Sequence, residues 1–406
     1  MRVTNNFIYR QSSDGLEKAN QRYLEINRKI TEQSNIVKPS DDPIGAGAVM
    51  HYEADSKLLE QYETNATSAK NSLDYEEVSM GSLYSILDRA NTLVVQAENG
   101  TRSQADLSSI AQELETLALT AADLMNAKGV DGNYIFSGAN AKSPPFQIQP
   151  DGRYSFSGDE GQRYAQLSDT VSIPVSDSGK KLFQDVPVRH TFTGAVSAGA
   201  ATLTASGISD QGAFDRFLTQ NYDAITPANN TFSLTTVAGV PDTFSFTNAG
   251  GTVLASGTYT SGQSMTMFGM ELELTGVAGS TVDVTLDAPA RDNVLNQLQD
   301  VITALRDPNL PSPQRTEAFR NVSVSIANTQ ESIGTGRSEL GARLNSISLM
   351  SSYSATTKVS NQLAINAVAG LDIATASAEL VQAQAAITAS QQLFSRVTSL
   401  SLFNVL

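Results

Sequence analysis

Apolar side chains recur every seven positions near both ends of the chain, with more than three hundred residues between the two stretches. Near the start Tyr9, Leu16, Tyr23, Ile30 and Val37 fall seven apart, with Ala19 and Ile26 at the intermediate position. Near the end Ile373, Leu380, Ile387 and Phe394 repeat the interval, followed by Val397, Leu400, Leu402 and Phe403. A sustained seven-residue stripe is the seam of a coiled coil, and its apolar face must be covered by a second helix. That helix is either the opposite end of this chain or a neighbouring copy, so the pattern predicts an assembling subunit.

Between the ends the period changes twice. After Lys38-Pro39, any of Ser40, Asp41 and Asp42 can cap a helix, and Pro43 suits its first position, where the missing N–H costs nothing. The helix so opened carries Leu59, Tyr62, Ala66, Ala69, Leu73, Glu76, Met80, Leu83, Leu87, Ala90, Val94 and Ala97 in steps of three and four, and Glu76 alone breaks the apolar pattern. Helical from Pro43 to Glu98, the segment would be about 84 Å long. A third helix follows Asn99-Gly100, opened by Ser103 with Asp106 three residues on. It carries Leu107, Ile110, Leu114, Leu117, Ala121 and Leu124 and ends near Gly129.

From residue 130 to 290 the period is two. Phe146-Gln147-Ile148, Pro150-Asp151-Gly152 and Tyr154-Ser155-Phe156 predict a β-hairpin. Two more are expected: Phe244 and Phe246 turning through Asn248–Gly251 into Val253, and Leu272 and Leu274 turning through Gly276–Gly279 into Val282, Val284 and Leu286. Helix resumes at Asp292 with Val294, Leu295, Leu298, Val301, Ile302 and Leu305, and stops at Pro308. A last long helix before the terminal stripe carries Phe319, Val322, Ile326, Ile333, Leu340, Leu344 and Ile347. Gly334, Gly336 and Gly341 lie inside it, each costing about 1 kcal/mol relative to Ala, which close packing or a bend would compensate.

The expected fold is α+β and multidomain: a long antiparallel helical bundle or coiled coil of N- and C-terminal segments, with β-hairpins and an inserted β-rich domain in the middle. The boundaries expected are 1–40 with 365–406 for a terminal assembly domain, 41–185 with 290–364 for a helical domain carrying hairpins, and 186–289 for the insert.

Composition narrows the function. The 406 residues include no Cys, no Trp and two His, and carry a net charge of −15. No disulfide or cysteine–zinc framework is possible; absent Cys fits chance or a reducing cytosol, and in a sharper reading a secreted subunit kept unfolded and uncrosslinked during export. The acidic balance argues against a nucleic-acid partner. The first 38 residues, with seven basic against four acidic side chains, are a solvated helix face that suits acidic neighbours. MRVTNNFIYRQ lacks the apolar core of a cleaved signal, and no apolar run reaches the roughly 18 residues of a membrane span.

Candidate chemistry is sparse. His51 has Asp55 one turn on and His190 sits in Pro-Val-Arg-His, but nothing completes a metal set. Gly334-Thr335-Gly336 is half a dinucleotide fingerprint, with Glu339 in the third glycine's place and helix on both sides. The acidic pairs Asp41-Asp42 and Asp159-Glu160 suit a helix cap and a turn better than acid–base work. No catalytic, cofactor-binding or metal residue is assigned, and the chain is not expected to be an enzyme.

Several segments together resemble the flagellin-like family of bacterial flagellar hook-associated protein 3. They are Met1-Arg2-Val3-Thr4-Asn5-Asn6, Lys38-Pro39-Ser40-Asp41-Asp42-Pro43 with Ile44-Gly45-Ala46, Tyr134-Ile135-Phe136-Ser137-Gly138, Gly158-Asp159-Glu160-Gly161, and the ending Leu400-Ser401-Leu402-Phe403-Asn404-Val405-Leu406. The resemblance covers residues 1 to about 185 and about 290 to 406, whereas residues 191 to 290 match no known pattern. Leu371-Asp372-Ile373-Ala374 departs from the more acidic run usual before the last helix. Flagellin is the close competitor, set apart by Pro-Ser-Asp-Asp-Pro and the Phe-containing ending.

The resemblance implies a structural subunit at the hook–filament junction, self-assembled into a ring, with hook-associated protein 1 on the hook side and flagellin on the filament side. It also implies an extracellular, flagellar location reached unfolded through the flagellar type III export apparatus with an export chaperone, and no cofactor. Leu16, Tyr23, Ile26, Ile30, Ile373, Leu380, Ile387, Phe394, Val397, Leu402 and Phe403 are the expected assembly residues, either folding on assembly or already closed as a helical hairpin within one chain. A minor flagellin, or a surface adhesin acting through the insert, is the alternative.

Overall fold

The computed structural model describes residues 2–99 and 102–403, and side chains other than those of residues 2–6, 8, 313 and 397–403. The helices are α1 (Arg2–Glu32), α2 (Pro43–Glu98), α3 (Gln104–Met125), α4 (Gln211–Asn221), α5 (Val294–Arg306), α6 (Ser312–Ala369) and α7 (Ile373–Phe403). The chain forms two compact units, one of Met1–Lys70, Ala165–Ile173 and Leu344–Leu406, the other of Asn71–Tyr164 and Pro174–Arg343.

In the first unit α1 packs along α7. The first part of α2 lies beside the last part of α6, where Asn361 Nδ2 donates to Asp55 Oδ2 at 2.7 Å and Lys358 Nζ lies 2.8 Å from Glu60 Oε1. Residue numbers rise along one helix as they fall along the other, so the two run antiparallel. The seam of α2 is as its spacing predicts: all twelve stripe residues from Leu59 to Ala97 are buried, Glu76 included.

In the second unit α2 and α6 are again antiparallel, with Arg337 Nη2 2.9 Å from Glu77 Oε1 and Gln330 donating to the Tyr84 carbonyl. Helices α3 and α5 pack together. Ser103 caps α3 and closes a capping box with Asp106, as the sequence predicts. The buried face of α3 is Leu107, Ala111, Leu114, Ala118, Ala121, Ala122 and Met125, so Ile110, Leu117 and Leu124 sit half-buried at its margin. Gly336 of α6 is explained by close approach: a Cβ there would stand 2.8 Å from Leu182 Cδ2. Gly334 and Gly341 have open space and no such reason.

Strands β1 (Phe146–Ile148) and β2 (Tyr154–Phe156) form the first expected hairpin, pairing Phe146 with Phe156 and Ile148 with Tyr154. A second hairpin joins β3 (Tyr164–Gln166) and β4 (Ser172–Pro174). Strand β5 (Val186–Pro187) leads into the insert, which holds β6 (Phe192–Ala198), β7 (Thr202–Ile208), β8 (Thr231–Val237), β9 (Thr243–Thr247), β10 (Val253–Thr258), β11 (Ser264–Met267), β12 (Met270–Thr275) and β13 (Thr281–Leu286). Strand β14 (Arg291–Asp292) leaves it and pairs with β5.

The insert is two antiparallel sheets, β10-β9-β8-β13-β6 and β11-β12-β7, closed over one core with α4. Val282, Val284 and Leu286 of β13, Leu272 and Leu274 of β12, and Phe214 and Phe217 of α4 meet there. The hairpin expected at Phe244–Val253 is present as β9–β10. The one expected at Leu272–Leu286 is not: Gly276–Ser280 carry the chain from one sheet to the other, and β13 pairs with β6 and β8. Alternation fixes which face of a strand is buried and leaves open which strand lies beside it.

Candidate assembly surface

The α1–α7 pair is built from residues spaced three and four apart. Ile26 of α1 and Ala376 and Ala383 of α7 are buried. Leu16, Ala19, Tyr23 and Ile30 on one side, and Leu380, Ile387 and Phe394 on the other, are half-buried. At the far end the rings of Tyr9 and Phe394 stand 5.2 Å apart. The structure thus brings together the expected Leu16, Tyr23, Ile26, Ile30, Leu380, Ile387 and Phe394. Two of the most buried members, Ala376 and Ala383, lie outside the expected set; their signal is a small residue at the intermediate position of the α7 stripe, where helices approach closely.

Ile373, also among the expected assembly residues, is the first residue of α7 and is 56% exposed. Val397, Leu402 and Phe403 lie outside the described side chains. Phe7, Leu24, Val381 and Leu393 are exposed as well, Val381 at 65%. The pair therefore closes one apolar stripe and presents others outward.

The links into and out of this pair are tied to each other. The Asn35 N–H donates to the Ala369 carbonyl at 2.7 Å, and Asn35 Nδ2 to the Gly370 carbonyl at 3.1 Å. Immediately beyond, Pro39, Ser40, Asp41, Asp42 and Pro43 form a self-contained entry to α2. Asp41 Oδ2 accepts from the N–H groups of Lys38 and Val37, and the Lys38 bond foremost holds its carboxyl below the usual carboxylate range. Asp42 Oδ1 accepts from Ile44 and Gly45 at 3.1 and 3.0 Å, which makes Asp42 the cap and Pro43 the first helical residue.

In the second unit two motifs twenty residues apart prove to be one device. The Asp159 carboxylate accepts from the N–H groups of Ala139 at 2.8 Å, Asn140 at 2.6 Å and Gly161 at 2.7 Å, and the first of these chiefly lowers its proton affinity. Gly138, at φ +77°, passes against the Asp159 backbone. Phe136 stands edge-on to Phe183 at 5.1 Å, which anchors the loop in the core. Asp159 is thereby a turn former, as its position beside Glu160 predicts.

The remaining chemical candidates are spoken for. His190 Nδ1 lies 2.9 Å from Asp215 Oδ1, and His51 stands edge-on to Tyr52. Among the described residues no group of three or more His, Asp or Glu could hold a metal ion, and no helix is long and apolar enough to cross a membrane.

Paired terminal helices, long antiparallel helices and a β-rich insert at mid-chain make up an α+β multidomain chain. Residues 3–141 match the bacterial flagellin N-terminal helical region. Flagellar hook-associated protein 3 of Salmonella typhimurium is 25% identical over 186 residues, which cover 46% of this chain and 58% of that relative. The match thus spans a little over half the relative's length. The flagellar filament 41 kDa core protein of Borreliella burgdorferi is 31% identical over 105 residues, 26% of this chain and 31% of that one. The solved structure of flagellar hook-associated protein 3 from Legionella pneumophila shares the fold, with a TM-score of 0.59 at 20% identity over 79% of this chain and 98% of that one. In sequence and in fold the chain resembles hook-associated protein 3.

Proposed function

We propose that the chain is a structural subunit of the bacterial flagellum that joins hook to filament. The observation that carries the proposal is the α1–α7 pair: two chain ends matched to each other along one seam, with apolar side chains left facing outward, on a chain that resembles hook-associated protein 3 in sequence and in fold. In this reading copies assemble into a ring through residues 1–40 and 365–406, with hook-associated protein 1 on one side and flagellin on the other. Residues 41–185 and 290–364 form the helical domain with its hairpins, and 186–289 the inserted β-rich domain. The protein is exported through the flagellar type III apparatus with a chaperone, acts outside the cell, and has no enzymatic role.

Electron microscopy of cells lacking the chain, with flagellin assayed in the medium, tests this. Bare hooks and flagellin shed into the medium are expected; normal attached filaments would overturn the junction role. The similarity to a filament core protein favours a minor flagellin as the second reading, in which case filaments persist with altered length or composition.

A further inference from the structure

One residue in the buried seam of α2 is neither apolar nor partnered. Glu76 sits between Leu73 and Met80 in the stripe, is 0% exposed, and neither of its carboxyl oxygens has a hydrogen-bond partner. A carboxylate cannot be held there without compensation, because removing its water costs several kcal/mol. The compensating cation nearby is already engaged. Arg343 of α6 grips Asp177 through both oxygens, at 2.9 Å each, with Glu339 3.6 Å away on its other side. Asp177 comes near Glu76 without reaching hydrogen-bonding geometry; its carboxyl adds repulsion of like charge, while its backbone N–H acts weakly the other way. The other charges around this site are paired outward: Lys181 with Glu339 at 3.0 Å, and Glu77 on the same helix with Arg337 at 2.9 Å.

We infer that Glu76 is a proton-held latch in the helical bundle of the second unit: as the neutral acid it packs like its apolar neighbours, and as the carboxylate it loosens the bundle. Burial first, then the Asp177 carboxyl, raises its proton affinity well above the ordinary carboxyl, and Arg343 and the Asp177 backbone N–H only partly oppose them. The folded chain therefore holds a proton that the unfolded chain releases. The stability this proton confers is complete below the unfolded carboxyl value and declines as pH rises toward the folded one, the reverse of a salt-bridged carboxylate. The inference stands on the chain's own packing, whatever it assembles with.

Denaturant unfolding of the full chain and of Glu76→Gln, compared from pH 5 to pH 9, tests it. Gln keeps the volume without the charge, so the folded-to-unfolded ratio of the wild type should fall by about tenfold or more relative to the variant as pH rises, because one bound proton changes that ratio about tenfold for each pH step between the two carboxyl values. Parallel pH curves would overturn the latch. A second measurement reads the proton itself: the infrared C=O stretch of a protonated carboxyl should persist in the folded wild type above the pH at which the unfolded chain's carboxyls have ionised, and should be missing from folded Glu76→Gln. No difference between wild type and variant in that stretch would overturn the proposal equally.

Discussion

Gly138 and Asp159 touch so closely that a Cβ on Gly138 would lie 2.2 Å from the Asp159 carbonyl oxygen. Gly138 also holds a positive φ, so a side chain there is excluded both by space and by backbone conformation. Gly138→Ala should lower unfolding stability by about 1–3 kcal/mol, read by denaturant titration. Asp159→Asn keeps the shape but weakens three bonds to backbone N–H groups. Because those bonds depress the folded carboxyl, their contribution is present above the unfolded value and is lost as pH falls through the folded one. The gap between wild type and Asp159→Asn should therefore narrow in acid.

The entry to α2 separates three capping candidates that the sequence leaves equivalent. Asp42 accepts from two α2 N–H groups, Asp41 from the loop before them, and Ser40 is exposed with no capping bond. Asp42→Ala should cost about 1 kcal/mol, the usual worth of a cap. Ser40→Ala should change stability by no more than about 0.5 kcal/mol. Equal losses at the two positions, measured by thermal unfolding, would contradict the assignment.

The Arg343–Asp177 pair is well shielded from solvent and joined through two parallel bonds. Removing one partner strands the other, so Arg343→Met should destabilise by about 3–5 kcal/mol. Arg343→Lys should recover only part of that loss, since an ammonium cannot span both oxygens.

The helical part of the fold is legible in the sequence because its signals are local. The α2 stripe, the Ser103–Asp106 box and the Phe146–Phe156 hairpin each depend on residues a few positions apart. What the sequence hides depends on distant neighbours. Asp177 and Arg343 are 166 residues apart, and nothing local announces that they meet. The sheet membership of β12 and β13 follows from pairings with β7 and β6 that alternation does not encode. In the seam of the terminal pair the large residues of the stripe stand out and the small ones do not, although among the described side chains Ala376 and Ala383 are where α7 is most buried. Glu76 is visible as the odd member of its stripe, but its isolation emerges only from the structure, in which both oxygens are unpartnered.

The two faces of the terminal helices should separate by mutation. Ile26 is buried against the rest of its own chain, whereas Val381 is exposed and turned away from the seam. Among the described side chains few of α1 and α7 are fully buried, while the α2 stripe is buried along its whole length, so the terminal pair should open locally at far lower free energy. In the isolated chain, amides of residues 10–30 should exchange much faster than those of residues 73–94; equal protection would mean that the hairpin is as stable as the bundle and that folding does not await assembly. Ile26→Asp should speed that exchange further, because it places a charge in the seam. Val381→Asp should leave exchange in the isolated chain unchanged and yet block incorporation into flagella, read by immunolabelling of purified filaments with attached hooks. If Val381→Asp is incorporated normally, the outward apolar face of α7 is not an intersubunit contact.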